Sequence, residues 1–127
     1  MGKILGIHHV AMKCCNDEEI AKVKSFYCEL LGLSLIREWD TGFMFDTSDG
    51  LVEVFTDGVE QLPKGTIRHF AFKVDNVDYF VDLVKANGCE VFMGPKDICL
   101  GYTNKLPARV AFCYGPLGEE VEFFEEK

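Results

Sequence analysis

The chain reads as an α+β protein built from two tandem βαβββ modules, and its internal repeats carry that expectation. Ile7-His8-His9-Val10-Ala11-Met12-Lys13 returns sixty residues later as Ile67-Arg68-His69-Phe70-Ala71-Phe72-Lys73, with Ile, His, Ala and Lys at matching places. Each copy is closed by a second echo, Val52-Glu53-Val54-Phe55 in the first half and Val121-Glu122-Phe123-Phe124 in the second. Within each half the apolar pattern passes from strand to helix and back to strand. At 127 residues the chain is one domain's worth, with module 1 at about 1–57 and module 2 at about 66–127.

The elements follow in order. Ile4 to Cys14, rich in Ile, Val and Met, suits a strand. Asn16 or Asp17 caps a helix that places Asp17, Glu18 and Glu19 at its positive end. Ile20, Val23, Phe26, Tyr27, Leu30 and Leu31 give that helix one apolar face, and Gly32 ends it in a left-handed conformation. Leu33 to Trp39, Phe43 to Asp46 and Leu51 to Phe55 read as strands separated by turn residues. Asp57 to Gly65 breaks the pattern and links the halves. The second half repeats the order with a strand at Thr66 to Val74 and a helix from about Val77 to Asn87, capped by Asp75 or Asn76 and stopped by Gly88. Strands at Cys89 to Met93, Arg109 to Tyr114 and Glu119 to Phe124 complete it, the last two joined by a Gly115-Pro116-Leu117-Gly118 turn. The Glu echo is offset by sixty-nine residues, so extra chain is expected in Gly94 to Pro107, which reads as an irregular insertion of the kind that is more often functional than idle.

Composition narrows the function. A net charge of −8 with Lys and Arg scattered singly argues against a nucleic-acid or anionic-membrane surface. No apolar stretch approaches the ~20 residues of a membrane span, and no signal-peptide pattern opens the chain, so a cytoplasmic protein is expected. The six cysteines form no CxxC pair or zinc-finger spacing and read as reduced thiols, mostly buried.

Strand alternation assigns faces to the repeated residues. His9 shares a face with Ala11 and Lys13, while Val10 and Met12 point the other way; His69 sits with Ala71 and opposes Phe70 and Phe72. The bulky residues belong under the helices, and the His faces, carrying small Ala, leave room for a ligand. Glu53 and Glu122 are each a carboxylate amid strand hydrophobics, where an unpaired charge is costly. Any lone His or Glu on a strand is ordinarily a packing or edge residue. Recurrence of both types at matching positions of both halves argues for a shared ligand instead, and a divalent first-row metal (Ni, Zn, Co, Mn or Fe) held by His9, Glu53, His69 and Glu122 is the economical one, with open positions for substrate.

At this point the sequence resembles a family. Two such modules, with His on the first strand and Glu on the last of each, look like the vicinal oxygen chelate superfamily (glyoxalase, bleomycin resistance, dioxygenase). Phe26-Tyr27-Cys28-Glu29-Leu30-Leu31-Gly32-Leu33 resembles the FYxxxLGL helix exit of these proteins; Gly115-Pro116-Leu117-Gly118 departs from their common Asp-Pro-Asp-Gly turn. The resemblance implies that the modules form an open, partly closed mixed β-barrel with one divalent metal per site. Two His with two Glu is closest to glyoxalase I, which implies isomerisation of a 2-oxoaldehyde–thiol hemithioacetal through an enediolate, in the manner of a lactoylglutathione lyase. The metal then acts as Lewis acid, Glu122 as the base with Glu53 as its quasi-symmetric partner, and His9 and His69 as ligands only.

Glutathione, if it is the thiol, brings two carboxylates, and Arg37, Arg109, Lys105 and Asn104 are the candidates for anchoring such an anionic group, with Tyr102 as part of a lid. A methylmalonyl-CoA-epimerase-like enzyme and a non-catalytic drug-binding or metabolite-binding protein of the same fold are the alternatives. A homodimer is expected, with each site formed within one chain or across two.

Overall fold

The computed structural model describes residues 2, 3, 5, 7–62, 65 and 67–127. The chain divides into two compact units, Met1–Pro63 and Lys64–Lys127, so the boundary falls inside the expected linker. Ile4 and Gly6 of the expected first strand, Pro63 and Lys64 of the linker, and Thr66 of the second-half strand lie outside the described residues.

In the first unit, β1 (His9–Lys13) is followed by α1 (Asp17–Val23), β2 (Ser34–Trp39), β3 (Gly42–Asp46) and β4 (Leu51–Phe55). Strand order is β1-β4-β3-β2, with β1 parallel to β4 and the other pairs antiparallel. The strand expected from Ile4 is thus shorter. Its length is set by its five-residue partner β4, and Leu5 and Ile7 stand exposed before it. Asn16 is the N-cap of α1: its Oδ1 accepts from Glu19 N at 2.8 Å, and the Glu19 carboxylate accepts from Cys15 N at 2.8 Å, satisfying two N-terminal donors. The expected single helix changes character at Lys24–Leu30, which is π-helical, with Leu31 N donating to Phe26 O at 2.9 Å. Gly32 follows with φ +80°, the left-handed stop its sequence position called for. Val23, Phe26 and Tyr27 are buried against the face carrying Met12, Phe43 and Phe45, with Tyr27 Oη donating to Met12 Sδ at 3.8 Å. Each fully buried Val or Phe contributes about 1.5–3 kcal/mol.

The second unit repeats this plan with β5 (His69–Lys73), α2 (Val77–Ala86), β6 (Val91–Leu100), β7 (Leu106–Tyr114) and β8 (Glu120–Glu126), in sheet order β5-β8-β7-β6. Asn76 caps α2 through Tyr79 N, and Glu125 from β8 accepts from Val77 N at 2.9 Å. Val77, Val81 and Val84 are buried over the sheet, and Phe80 stacks on Phe123 with centroids 5.3 Å apart. Both sheets are open rows of four strands, and neither closes on itself.

The insertion expected to be irregular is mostly strand. β6 runs on to Leu100 and pairs with β7 through Lys96↔Val110, Asp97↔Arg109 and Leu100↔Leu106, leaving only residues 101–105 as the hairpin tip. Two register shifts, at Val91/Met93 and Met93/Lys96, take up Gly94 and Pro95 as a bulge, which is how a strand continues past a proline. Gly94 has φ +83°, and a Cβ there would collide with the Val110 carbonyl oxygen, so only glycine fits. In the turn before β8 the Glu119 carboxylate accepts from Leu117 N at 2.7 Å, a side-chain acceptor for a turn amide. All six cysteines are free thiols. Cys14 and Cys113 are buried, Cys15, Cys28 and Cys89 are half-buried, and Cys99 on the outer hairpin is exposed, so burial of the thiols is less general than expected.

Candidate metal centre

Strand register builds one His–Glu pair in each unit. β1 and β4 pair with Ala11 opposite Glu53 and His9 opposite Leu51, so His9 and Glu53 are diagonal neighbours on one face. Their side chains converge over the small Ala11, with His9 Nε2 3.3 Å from Glu53 Oε1. β5 and β8 repeat the register, Ala71 opposite Glu122 and His69 opposite Glu120, and His69 Nε2 lies 3.2 Å from Glu122 Oε1. The alternation expected from sequence holds: β1 and β5 share an exposed and half-buried pattern in which both His and both Ala are on the open side. In each pair the imidazole is about 40% exposed and the carboxylate is largely covered, at 12% for Glu53 and 10% for Glu122. Burial pushes the Glu122 carboxyl above its ordinary pKa, and the neighbouring His69 pulls it the other way.

Two donors each about 2.1 Å from a common ion stand roughly 3.0–3.4 Å apart in octahedral or tetrahedral geometry. Both pairs have that separation, and one imidazole with one carboxylate is a donor set that a first-row divalent ion accepts. Among the described residues no group of three or more His, Cys, Asp or Glu is assembled, so each unit presents two donors rather than a complete site.

The remaining candidates separate by position. Arg37 pairs across from Met44, which pairs with Glu53, so Arg37 is on the His9–Glu53 face; its Nη1 is 3.1 Å from Met44 Sδ. Arg109 is turned to the helix side of its sheet, bound to Asp78 at 2.8 and 3.0 Å and to Asp97 at 3.1 Å. Tyr102, Asn104 and Lys105 are exposed at the β6–β7 tip, and Tyr102 makes no burial at all. Within this unit the tip is about 20 Å from Glu122, counting the strand from Leu106 to Phe112.

Two neighbours of the pairs were not among the residues expected from sequence. Phe112 pairs opposite Glu122, and its ring meets the His69 ring edge-on at 5.0 Å; Phe92 and Tyr114 continue this aromatic cluster, stacked at 4.4 Å. Counting outward from the Gly115–Gly118 turn would have found Phe112, because that turn fixes Tyr114 opposite Glu120. His8 packs against His9, with their Nδ1 atoms 2.9 Å apart.

The family model of the Glyoxalase/Bleomycin resistance protein/Dioxygenase superfamily matches residues 6–123. No curated protein matches the chain in sequence. Among solved structures, a glyoxalase/dioxygenase from Nostoc punctiforme is 20% identical with a TM-score of 0.73, covering 100% of this chain and 99% of its own. Virulence protein STM3117 from Salmonella typhimurium is 18% identical with a TM-score of 0.71, covering 98% of each chain. A lactoylglutathione lyase from Agrobacterium tumefaciens is 16% identical with a TM-score of 0.70, covering 97% of this chain and 95% of its own. At these identities the neighbours share the fold. Profile and fold agree over nearly the whole length, and the protein belongs to the glyoxalase/bleomycin resistance protein/dioxygenase superfamily.

Proposed function

We propose that the protein is a divalent-metal-dependent isomerase of glyoxalase I type, acting on the hemithioacetal formed by a 2-oxoaldehyde and a thiol. The observation that carries this reading is the duplicated His–Glu pair, with matched register and spacings of 3.3 and 3.2 Å in the two units. His9, Glu53, His69 and Glu122 together make a four-ligand set, and Ni, Zn, Co, Mn or Fe fits it. Held by these residues, the ion would supply Lewis-acid stabilisation of the charge that develops on the substrate oxygens. Glu122 then takes the proton from one carbon and returns it to its neighbour, aided by a covered position that keeps water from competing for it. Glu53 holds the equivalent register in the first unit and shares the proton work. His9 and His69 orient and do not exchange protons with substrate.

The substrate's anionic thiol portion is met by Arg37, which has the same face as Glu53 and no carboxylate partner among its described contacts. Tyr102, Asn104 and Lys105 contribute from the hairpin tip when the complete site assembles. Arg109 is left out of this assignment because Asp78 and Asp97 occupy its guanidinium. The reading includes a homodimer, supported by the edge strand β2, which leaves Leu35, Ile36 and Trp39 exposed. Among the described residues no helix is long and apolar enough to cross a membrane.

The test is elemental mass spectrometry of the purified protein and of a His69→Ala variant, with methylglyoxal-plus-thiol turnover on the same samples. Near-stoichiometric metal that is lost in the variant, together with turnover, is the expected result. A protein that takes up no divalent ion after reconstitution refutes the enzyme reading. Sedimentation as a monomer refutes the dimer.

A further inference from the structure

The two histidines of the repeat are not held alike. His8 stands just before β1, its carbonyl accepting from Leu51 N at 3.1 Å, which ties it to β4 beside the first pair. Its ring meets that of His9 edge to face, with centroids 5.2 Å apart and an angle of 86° between planes, and the two Nδ1 atoms are 2.9 Å apart. The other ring nitrogen of His9, Nε2, is the one directed at Glu53. The nitrogens of His9 are thus divided between two tasks, Nε2 to the carboxylate and Nδ1 to His8.

A neutral imidazole that gives its Nε2 lone pair to a metal carries its proton on Nδ1, and that N–H needs an acceptor to fix the ring. We propose that His8 is a positioning residue of the metal centre: its Nδ1 accepts the His9 Nδ1–H, which selects the tautomer that leaves Nε2 free to ligate and locks the ring plane. This rests on the reading of His9 as a ligand. A neutral imidazole suits the task because its Nδ1 is a donor in one tautomer and an acceptor in the other. Without metal, His9 can carry its proton on Nε2 toward Glu53 while His8 donates to His9 Nδ1. Ligation through Nε2 would require both rings to exchange tautomers, and a contact of 2.9 Å between the two Nδ1 atoms suits a hydrogen bond in either direction.

The second unit has no counterpart. Arg68 occupies the matching sequence position, and a guanidinium has donors only. His69 is instead walled by the edge-on ring of Phe112 at 5.0 Å. The half-sites therefore divide the work differently, the first histidine oriented by a hydrogen bond and the second by an aromatic face.

The experiment is calorimetric titration of the metal-free full-length protein with Zn²⁺, for the wild type and for His8→Phe, His8→Asn, Arg68→Ala and His9→Ala, each checked for native circular dichroism. Removing a hydrogen-bond partner of a ligating His weakens metal binding roughly 10–100-fold, and that loss is expected for His8→Phe. His8→Asn, whose amide places an acceptor near the position of Nδ1, should recover most of it, a rescue that a purely packing role of the ring does not predict. Arg68→Ala should bind as wild type. Nitrogen NMR of labelled His in the Zn²⁺ complex should find the His9 proton on Nδ1. If His9→Ala loses binding while His8→Phe keeps wild-type affinity, the positioning role is wrong and the ligand reading stands. If His9→Ala itself binds as tightly as wild type, the ligand reading fails and the role of His8 fails with it.

Discussion

His69 Nε2 lies 3.2 Å from Glu122 Oε1, and Glu122 is the one charged side chain to be buried among the described residues. The contact exists because Ala71, and not His69, sits directly opposite Glu122 in the parallel β5–β8 pair. A methyl group below leaves the space in which imidazole and carboxylate meet at a diagonal. The same relation of His9, Ala11 and Glu53 recurs in the first unit, so an alanine in each repeat is as much a part of the geometry as the polar residues.

If Glu122 is the base, Glu122→Gln keeps the shape and the hydrogen-bonding surface while removing the proton acceptor. Turnover of the methylglyoxal–thiol adduct should fall by about 10²–10⁴-fold, the usual contribution of a general base. Glu53→Gln should lose less. Steady-state kinetics on the two variants, with metal content matched, checks the order; equal losses mean that the carboxylates share the proton work evenly, and undiminished turnover in Glu122→Gln removes it as the base.

The ion should also couple to stability. Neither pair alone supplies more than two protein donors, so the folded protein and not the unfolded chain is the binding species. At a free metal concentration a hundredfold above Kd, linkage gives about 2.7 kcal/mol of added stability. Thermal melts of the metal-free protein with added Zn²⁺ or Ni²⁺ should rise in the wild type. If the two pairs serve one ion, as the proposed function requires, His9→Ala and His69→Ala should each lose most of that rise. A variant that loses nothing identifies a pair outside the centre.

Arg37 and Tyr102 bear on the substrate. Arg37→Ala should raise KM for an anionic thiol adduct and leave kcat and melting temperature nearly unchanged, the pattern of lost uniform binding. Tyr102 is fully exposed at the hairpin tip, so Tyr102→Ala removes no packing, and its effect should also be confined to KM. A drop in kcat with unchanged KM for either residue places it nearer the reacting carbons than this reading allows.

Much of this architecture is legible in the residues. The His and Glu echoes mark equivalent strands, alternation puts His9 and His69 on the open faces, and Asn16, Asn76 and Gly32 mark helix ends by chemistry that acts within a few residues. What could not be read depends on partners distant in sequence. The end of β1 is set by the five residues of β4, and the strand character of the Gly94–Pro107 stretch comes from pairing with β7 across two bulges that hide its period. The π-helical turn at Lys24–Leu30 has the same apolar spacing as an α-helix would. Arg109 was indistinguishable from Arg37 as a cation on a strand, because only the β6–β7 register and the position of α2 bring Asp97 and Asp78 to it.

That ion-pair cluster sets a pH dependence of its own. Hydrogen bonds from the Arg109 guanidinium, helped by its charge, hold the Asp78 carboxyl below its ordinary pKa. A carboxylate whose folded pKa is depressed contributes stability that is fully present above its unfolded value, about 3.9, and is lost as pH falls through the lower folded value. Wild type should therefore lose stability as pH drops below about 4, with Asp78 one source of the slope. Glu125, held down by Lys127 and by the Val77 amide, adds a second of the same sign. Asp78→Asn cannot titrate and gives Arg109 a weaker partner. It should be less stable than wild type at pH 6, and its curve should fall more gently between pH 4 and 2 until the two converge. Urea midpoints for both proteins across that range measure the difference, and parallel curves there mean that the Asp78–Arg109 contact is too well solvated to bear on folding.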